Sequence, residues 1–188
     1  MSKLEKFFKT GNPRLVIDHL RRVKNMRAVM HALDHEDWNV IEAAHSAWLR
    51  LYDWRKRAPV ADLLKLLRSE IPHSSAQSVA RQMLSESRAE DLAPHAEQII
   101  MMARSQDFYT EREKIYAAVE KLGEKAIPQL SWDLANTHVP NELTAQLTKE
   151  TLQKILDKLP PERREEIQKE YGEDIIAKLK LRGIKLTV

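Results

Sequence analysis

The sequence has 188 residues, of which 43% are hydrophobic, and it carries a formal net charge of +3 from 31 basic and 28 acidic residues. This length is enough for one sizeable core, and the absence of cysteine excludes disulfides, thiolate metal sites and cysteine nucleophiles. With only four glycines, glycine-rich phosphate loops and dinucleotide fingerprints are excluded as well. Scarce glycine and the lack of alternating Val, Ile and Thr runs predict an all-α protein.

The N-terminal part of the chain predicts four amphipathic helices. Asn12 is expected to cap a helix that has Pro13 in its first turn. A second apolar stripe runs from about residue 25 to residue 33, and the pattern alone leaves open whether these two segments form one helix. A third helix is expected over about 39–53, and Pro59 opens a fourth.

The middle of the chain contains two helix pairs. Ser74 or Ser75 is expected to cap the first helix of one pair, and Pro94 opens its partner. In the second pair, spanning residues 110–136, the apolar periodicity stops at Gly123, which indicates a helix C-terminus with a residue at positive φ. Pro128 then lies in the first turn of the following helix.

The last part of the chain is one longer helix followed by a charged tail. The helix begins near Pro140, and Pro160-Pro161 ends it. We expect residues 140–188 to form a C-terminal capping unit, because a stack of helices needs a polar end. The apolar positions expected to face inward on the longer helix are Leu143, Leu147, Leu152, Ile155, Leu156 and Leu159.

Helix-opening prolines recur at a nearly constant interval. Pro59, Pro94, Pro128 and Pro161 are separated by 35, 34 and 33 residues. A helix pair of this length cannot bury its apolar stripe alone, so stacking on neighbouring pairs is expected.

The segment 115–130, IYAAVEKLGEKAIPQL, has a small-residue first helix, a Leu-Gly turn and an Ala-Ile-Pro-x-Leu second helix. It resembles a HEAT-like repeat, and 39–69 and 75–105 match that pattern more loosely. Tetratricopeptide repeats have a similar period, but no single unit here meets their Trp, Leu-Gly, Tyr and Ala positions. The resemblance implies a right-handed α-α superhelix of about five antiparallel helix pairs. It would be one α-solenoid domain over 1–188, with 1–36 as its N-terminal unit.

The function expected from this architecture is a non-enzymatic protein–protein interaction module without a cofactor. Second helices of stacked pairs line the concave side of a solenoid, which suits a peptide or protein partner. The residues predicted to contact that partner are Asp62, Lys65, Glu97, Met101 and Ser131.

The alternative is nucleic-acid binding by the basic N-terminal part, in which residues 1–70 contain 14 basic and 9 acidic residues. Cations interleaved with aromatic side chains suit a phosphate backbone and a stacked base. The residues predicted for this role are Arg50, Trp54, Arg55, Lys56 and Arg57. Its enzymatic version is a HEAT-like DNA glycosylase acting on alkylated bases, which needs an acidic residue and aromatic side chains on the concave wall. Trp132 and Asp133 lie on the helix expected there, and Asp62 and Glu97 are alternative carboxylates.

Two further features bear on metals and membranes. His31 and His35 are spaced like half a metal site, but Zn²⁺ needs three or four protein ligands and no second cluster stands out. We interpret them as part of a helix terminus and predict no metal. No apolar run approaches the roughly 18 residues of a membrane span, and the N-terminus lacks a signal-peptide pattern. The sequence therefore predicts a cytoplasmic protein with no membrane partner.

Overall fold

The computed structural model describes residues 12–33, 35–55, 59–68, 75–105, 111–136 and 141–185. Within these ranges the regular structure is helical, with no β-strand. The predicted all-α class is therefore confirmed. The chain divides into two compact units, residues 1–91 and 92–188, and each is described separately.

The first unit is organised around one long helix, α3. This helix packs against α1, α2 and α5, and α5 also packs against α4. The helices are α1 (Pro13–Leu20), α2 (Met26–Ala32), α3 (Trp38–Arg55), α4 (Val60–Leu67) and α5 (Ser75–Glu86). Fully buried side chains in this unit include Leu20, Val29, Leu33, Val40, Ala44, Trp48, Leu63, Ala80, Met83 and Leu84.

The predicted cap of the first helix is confirmed. The Asn12 side-chain oxygen accepts a hydrogen bond from the Arg14 backbone N–H at 3.1 Å, and Pro13 is the first helical residue. The chain leaves α1 at Arg21 and begins α2 at Met26, so the two apolar stripes at the N-terminus belong to separate helices. The predicted stripe of α3 is also largely correct, since Val40, Ala44, Ala47, Trp48 and Leu51 are all buried.

The second unit contains six further helices after the short α6 (Ala89–Leu92), which lies at the boundary. They are α7 (Ala96–Arg104), α8 (Arg112–Lys121), α9 (Ile127–Asn136), α10 (Glu142–Asp157), α11 (Pro161–Glu170) and α12 (Glu173–Leu181). Helix α8 packs against α7 and α10, and α9 packs against α10 and α12. Pro94 lies in the 3₁₀ turn Ala93–His95 that precedes α7, so α7 begins two residues later than the proline pattern indicates.

The turn between α8 and α9 has the predicted conformation. Gly123 has a φ of +60°, in the left-handed region that favours glycine. It begins the 3₁₀ turn Gly123–Ala126, and Pro128 is the second residue of α9. Proline is tolerated at this position because the N–H groups of the first turn have no partner inside the helix.

The buried face of α10 differs from the predicted one. Leu143 is 53% exposed, whereas Thr144, Thr148 and Thr151 are buried together with Leu152, Ile155 and Leu156. The threonines are tolerated because their hydroxyls find partners: that of Thr148 donates to the Thr144 backbone carbonyl at 2.7 Å and also contacts the Tyr116 hydroxyl. Apolar spacing therefore located Leu152, Ile155 and Leu156 correctly but missed the three threonines and placed Leu143 inside.

A side-chain amide holds the C-terminal end of the described chain against α10. Gln153 accepts from the Lys185 backbone N–H at 2.8 Å and donates to the Lys185 carbonyl at 3.1 Å. The amide therefore imitates the two-bond pairing of neighbouring strands.

We expect Gln153→Ala to release this segment without unfolding the protein. The change removes these two bonds and a third from Gln153 to Asp157 within α10, and because all three are solvent-exposed the loss of global stability should be only about 1 kcal/mol. Amide exchange at Lys185 should accelerate severalfold. The control is Gln146→Ala, because Gln146 bonds only to Glu150 within α10. An unchanged rate of amide exchange at Lys185 would show that the Gln153 side chain does not hold this segment.

Candidate functional site

A buried ion pair joins α7 to α9. Asp133 is fully buried, and its carboxylate lies 3.0 Å from Nε of Arg104, the last residue of α7. Gln129, one turn earlier on α9, donates to the other carboxylate oxygen at 3.0 Å. Gln129 of the same helix therefore positions the Asp133 carboxylate, and this carboxylate in turn contacts Arg104 of the neighbouring helix.

A groove of about 570 Å³ lies between α7 and α9. Glu97 and Lys125 both line it, as does Arg104, the last residue of α7, which contacts Asp133 of α9. The other residues lining the groove are Ala96, Ile100, Met101, Pro128 and Gln129.

Apolar side chains lie on the outer faces of both helices. Met101 is 57% exposed and Trp132 is 50% exposed. On α9, Trp132 is four residues after the exposed Pro128, so the two share a helix face. Met101 itself lines the groove, and Trp132 shares its helix face with Pro128, which also lines the groove.

The charged side chains of the groove differ in how firmly they are held. Glu97 and Lys125 are exposed, and the structure gives neither an ion pair. The side chain of Arg104 is only 30% exposed, and its Nε faces Asp133. Within the described residues its two terminal nitrogens donate no hydrogen bond to protein, so they remain for an acceptor in the groove.

Polar groups also lie beneath the groove. Tyr116 is buried, and its hydroxyl lies 2.7 Å from the Thr148 hydroxyl. Burial raises the pKa of Tyr116, and the Thr148 hydrogen bond partly opposes the rise. Arg112 is buried as well, and one of its terminal nitrogens donates to the Ser105 carbonyl at 2.8 Å. These groups hold α8 rigidly between α7 and α10.

The structure brings together two of the five predicted partner-binding residues. Glu97 and Met101 line the same groove. Ser131 also lies on α9, but it is 1% exposed and lies close to Tyr171, so it faces the interior rather than the groove. Its side chain lies on the face of α9 opposite Gln129 because successive helical residues are about 100° apart.

The remaining two predicted partner-binding residues belong to the first unit. Asp62 and Lys65 are exposed on α4 and form an ion pair at 3.8 Å. Such an exposed pair contributes little to stability and leaves both side chains accessible. Their role as a binding site stays a prediction.

Arg50 has a structural partner in the first unit. Its guanidinium donates to the carbonyls of Leu20 at 2.9 Å and Val23 at 3.2 Å, and it also contacts the carbonyl of Arg21. It therefore caps the C-terminus of α1, where backbone carbonyls lack helical partners. The side chains of Trp54 and Arg55, and all of Lys56 and Arg57, lie outside the described residues.

The geometry also bears on the hypothesis that this protein is a DNA glycosylase. It requires an accessible carboxylate, but Asp133 is fully buried and paired with Arg104. Asp133 is therefore a packing element of the α7–α9 contact and cannot serve as that carboxylate, whereas Asp62 and Glu97 are exposed, so the glycosylase hypothesis stays a prediction.

His35 confirms the interpretation of the histidine pair as part of a helix terminus. Its Nδ1 accepts from the Asp37 backbone N–H at 2.9 Å, just before α3. Among the described residues, no group of three or more His, Asp and Glu side chains is arranged to hold a metal ion. Every helix in the same ranges is too short or too polar to cross a membrane.

Comparison with protein-family models, with curated proteins and with solved structures finds no match for this chain. The geometry of the groove is therefore the basis for assigning a function.

Sequence reasoning missed the parts of the site that depend on three-dimensional neighbours. Arg104, Lys125 and Gln129 were not selected, because the repeat pattern predicts that α7 and α9 are neighbours but does not show which of their side chains face each other. The available signal was the interval between Pro94 and Pro128, which aligns Ala96 with Leu130 and Glu97 with Ser131. That alignment identifies equivalent positions in a repeat, but it does not say which of them face a groove.

Proposed function

We propose that this protein is a non-enzymatic interaction module that binds a peptide segment of a partner protein in the groove between α7 and α9. The proposal includes a HEAT-like arrangement of the helix pairs. It is supported by the proline interval, by the Leu-Gly turn before α9, and by the ion pair between Arg104 of α7 and Asp133 of α9.

The observation that carries the proposal is the pair of exposed apolar side chains beside a groove. Met101 and Trp132 are 57% and 50% exposed on neighbouring helices. Binding energy at protein interfaces is concentrated in a few large side chains, among which tryptophan is enriched. Glu97 and Lys125 supply polar groups at the edge, as a binding site needs for orientation.

The dimensions suit a short segment. Helix α7 has nine residues, so the groove is roughly 13 Å long at ~1.5 Å per residue. About four residues of an extended peptide span that length at ~3.3 Å each. The groove is thus matched to a linear motif with one or two apolar anchors.

Nucleic-acid binding stays a prediction that the described geometry does not favour, because Arg50 is committed to capping α1. It predicts binding of DNA or RNA that weakens steeply with added salt and is reduced by Arg55→Glu with Arg57→Glu. Undetectable binding of DNA or RNA at low salt would contradict this prediction.

The test of the proposed function is selection of a random peptide library against the folded protein, followed by affinity measurement with Trp132→Ala. We expect selected peptides to lose about 2 kcal/mol of binding free energy, or roughly 30-fold in affinity, because Trp132 offers the largest apolar contact. The control is Leu181→Ala, which removes an 87% exposed apolar side chain elsewhere in the unit. Equal loss in both variants, or no enriched peptide, would contradict the proposal.

A further inference from the structure

We infer that the groove selects a peptide with an acidic side chain, whose carboxylate is bound by Arg104. This inference rests on the proposed function and specifies the chemistry of the bound segment. Its basis is the way in which Arg104 is held at one end of the groove.

Arg104 is oriented before any partner arrives. The buried carboxylate of Asp133 contacts Nε at 3.0 Å, and Gln129 fixes that carboxylate from one turn away. The ion pair restrains the guanidinium, whose two terminal nitrogens form a planar fork. That fork belongs to a side chain that lines the groove and is 30% exposed.

A carboxylate fits this fork better than other acceptors do. Two parallel N–H···O bonds match the spacing of carboxylate oxygens, and charge-assisted bonds of this kind are about twice as strong as neutral ones. Little rotamer entropy remains to be lost, since Asp133 already restricts the arginine.

The balance of charge favours a single carboxylate over a phosphate group. Asp133 already compensates much of the Arg104 charge, and a phosphate carries nearly two negative charges. Lys125 is a second cation among the residues that line the groove, and Glu97 is an acidic residue that lines it as well. An acidic residue is therefore favoured at the Arg104 end and disfavoured beside Glu97.

This arrangement gives the bound peptide a direction. Its acidic side chain lies at the C-terminal end of α7, and its apolar anchor lies between Met101 and Trp132. Aspartate and glutamate are the side chains that satisfy both the charge and the size of the Arg104 end.

The experiment starts from the peptides enriched from a random library by the folded wild-type protein. We expect them to carry Asp or Glu next to a bulky apolar residue. Changing that Glu to Gln in a selected peptide should weaken binding to the wild type tenfold to about a hundredfold, and added salt should weaken the acidic peptide more than its amide version. This comparison needs no protein variant, so it holds even if changes at Arg104 affect folding.

A double-mutant cycle then assigns the effect to Arg104. Arg104→Lys keeps a cation beside Asp133 but removes the fork, and in this variant the Glu-to-Gln change should alter affinity less than threefold. Arg182→Lys is the matched control, because Arg182 is an exposed arginine of the same unit outside the groove. It should retain the full difference between the two peptides.

The outcomes separate this inference from the proposed function. Peptides that bind through Trp132 without a preference for acidic residues would overturn the inference and leave the interaction module in place. A phosphoserine peptide that binds more tightly than the glutamate peptide would overturn the choice of a carboxylate. Binding of random DNA in place of any peptide would overturn both proposals.

Discussion

Replacing Asp133 with alanine is expected to lower the free energy of unfolding by about 3–5 kcal/mol. Asp133 is fully buried, and its carboxylate contacts Arg104 and Gln129. The variant leaves the arginine partly buried without its counter-charge and leaves the Gln129 amide without its acceptor. Removing one member of a buried pair costs far more than the pair contributes as a whole. Urea-induced unfolding followed by circular dichroism measures the change.

The control for Asp133→Ala is Asp62→Ala, which removes an exposed aspartate that is also paired with a cation. Its effect should be below about 0.5 kcal/mol, because exposed ion pairs contribute little. A similar loss in both variants would show that burial of Asp133 does not determine its importance. A loss below about 1 kcal/mol in Asp133→Ala would contradict the role given to the ion pair.

The second large effect is expected from Trp48→Ala, at about 3–5 kcal/mol. Trp48 is the largest fully buried side chain, and it lies on α3, which packs against α1, α2 and α5. Its ring also stacks on His45, with ring centroids 6.1 Å apart. Truncation of this side chain leaves a cavity, and the helices packed around α3 cannot all move inward to fill it.

Trp132→Ala is the matched control for Trp48→Ala, because it removes the same side chain from a half-exposed position. We expect it to cost less than about 1 kcal/mol of stability while it weakens peptide binding. If Trp48→Ala does not fold, Trp48→Phe should still lower the thermal midpoint. Equal stability losses at the two tryptophans would contradict the assignment of Trp48 to the core.

Local structure was largely predictable from the sequence, because it depends on residues close in the chain. The Asn12 cap, the positive φ of Gly123 and the Pro161 start of α11 each follow from one or two side chains. Apolar periodicity also located helices α3, α5 and α7 in the chain. The grouping of helices into pairs stays a prediction from the proline interval.

The buried polar residues could not be predicted, because their partners are distant in the sequence. Thr148 is buried because Tyr116, thirty-two residues earlier, contacts its hydroxyl. Ser131 is buried against Tyr171, so a residue that suits a surface by composition lies inside. Asp133 is buried only because Arg104 lies beside it.

The candidate site likewise contains residues that local sequence patterns identify and residues whose role depends on distant neighbours. Glu97 and Met101 were selected correctly as members of one surface, because helix periodicity places them one turn apart on the outside of α7. Arg104 and Lys125 were not selected, since their importance arises from the contact between α7 and α9. Composition cannot distinguish a positioned cation from a solvated one.

The most direct test of the central claim is amide chemical-shift mapping of the isotope-labelled protein during titration with a library-selected peptide. If the peptide binds in the groove, the largest shifts will fall within residues 97–104 and 125–133. Shifts confined to residues 12–68, or to α11 and α12, would place binding elsewhere and contradict the assignment of this groove.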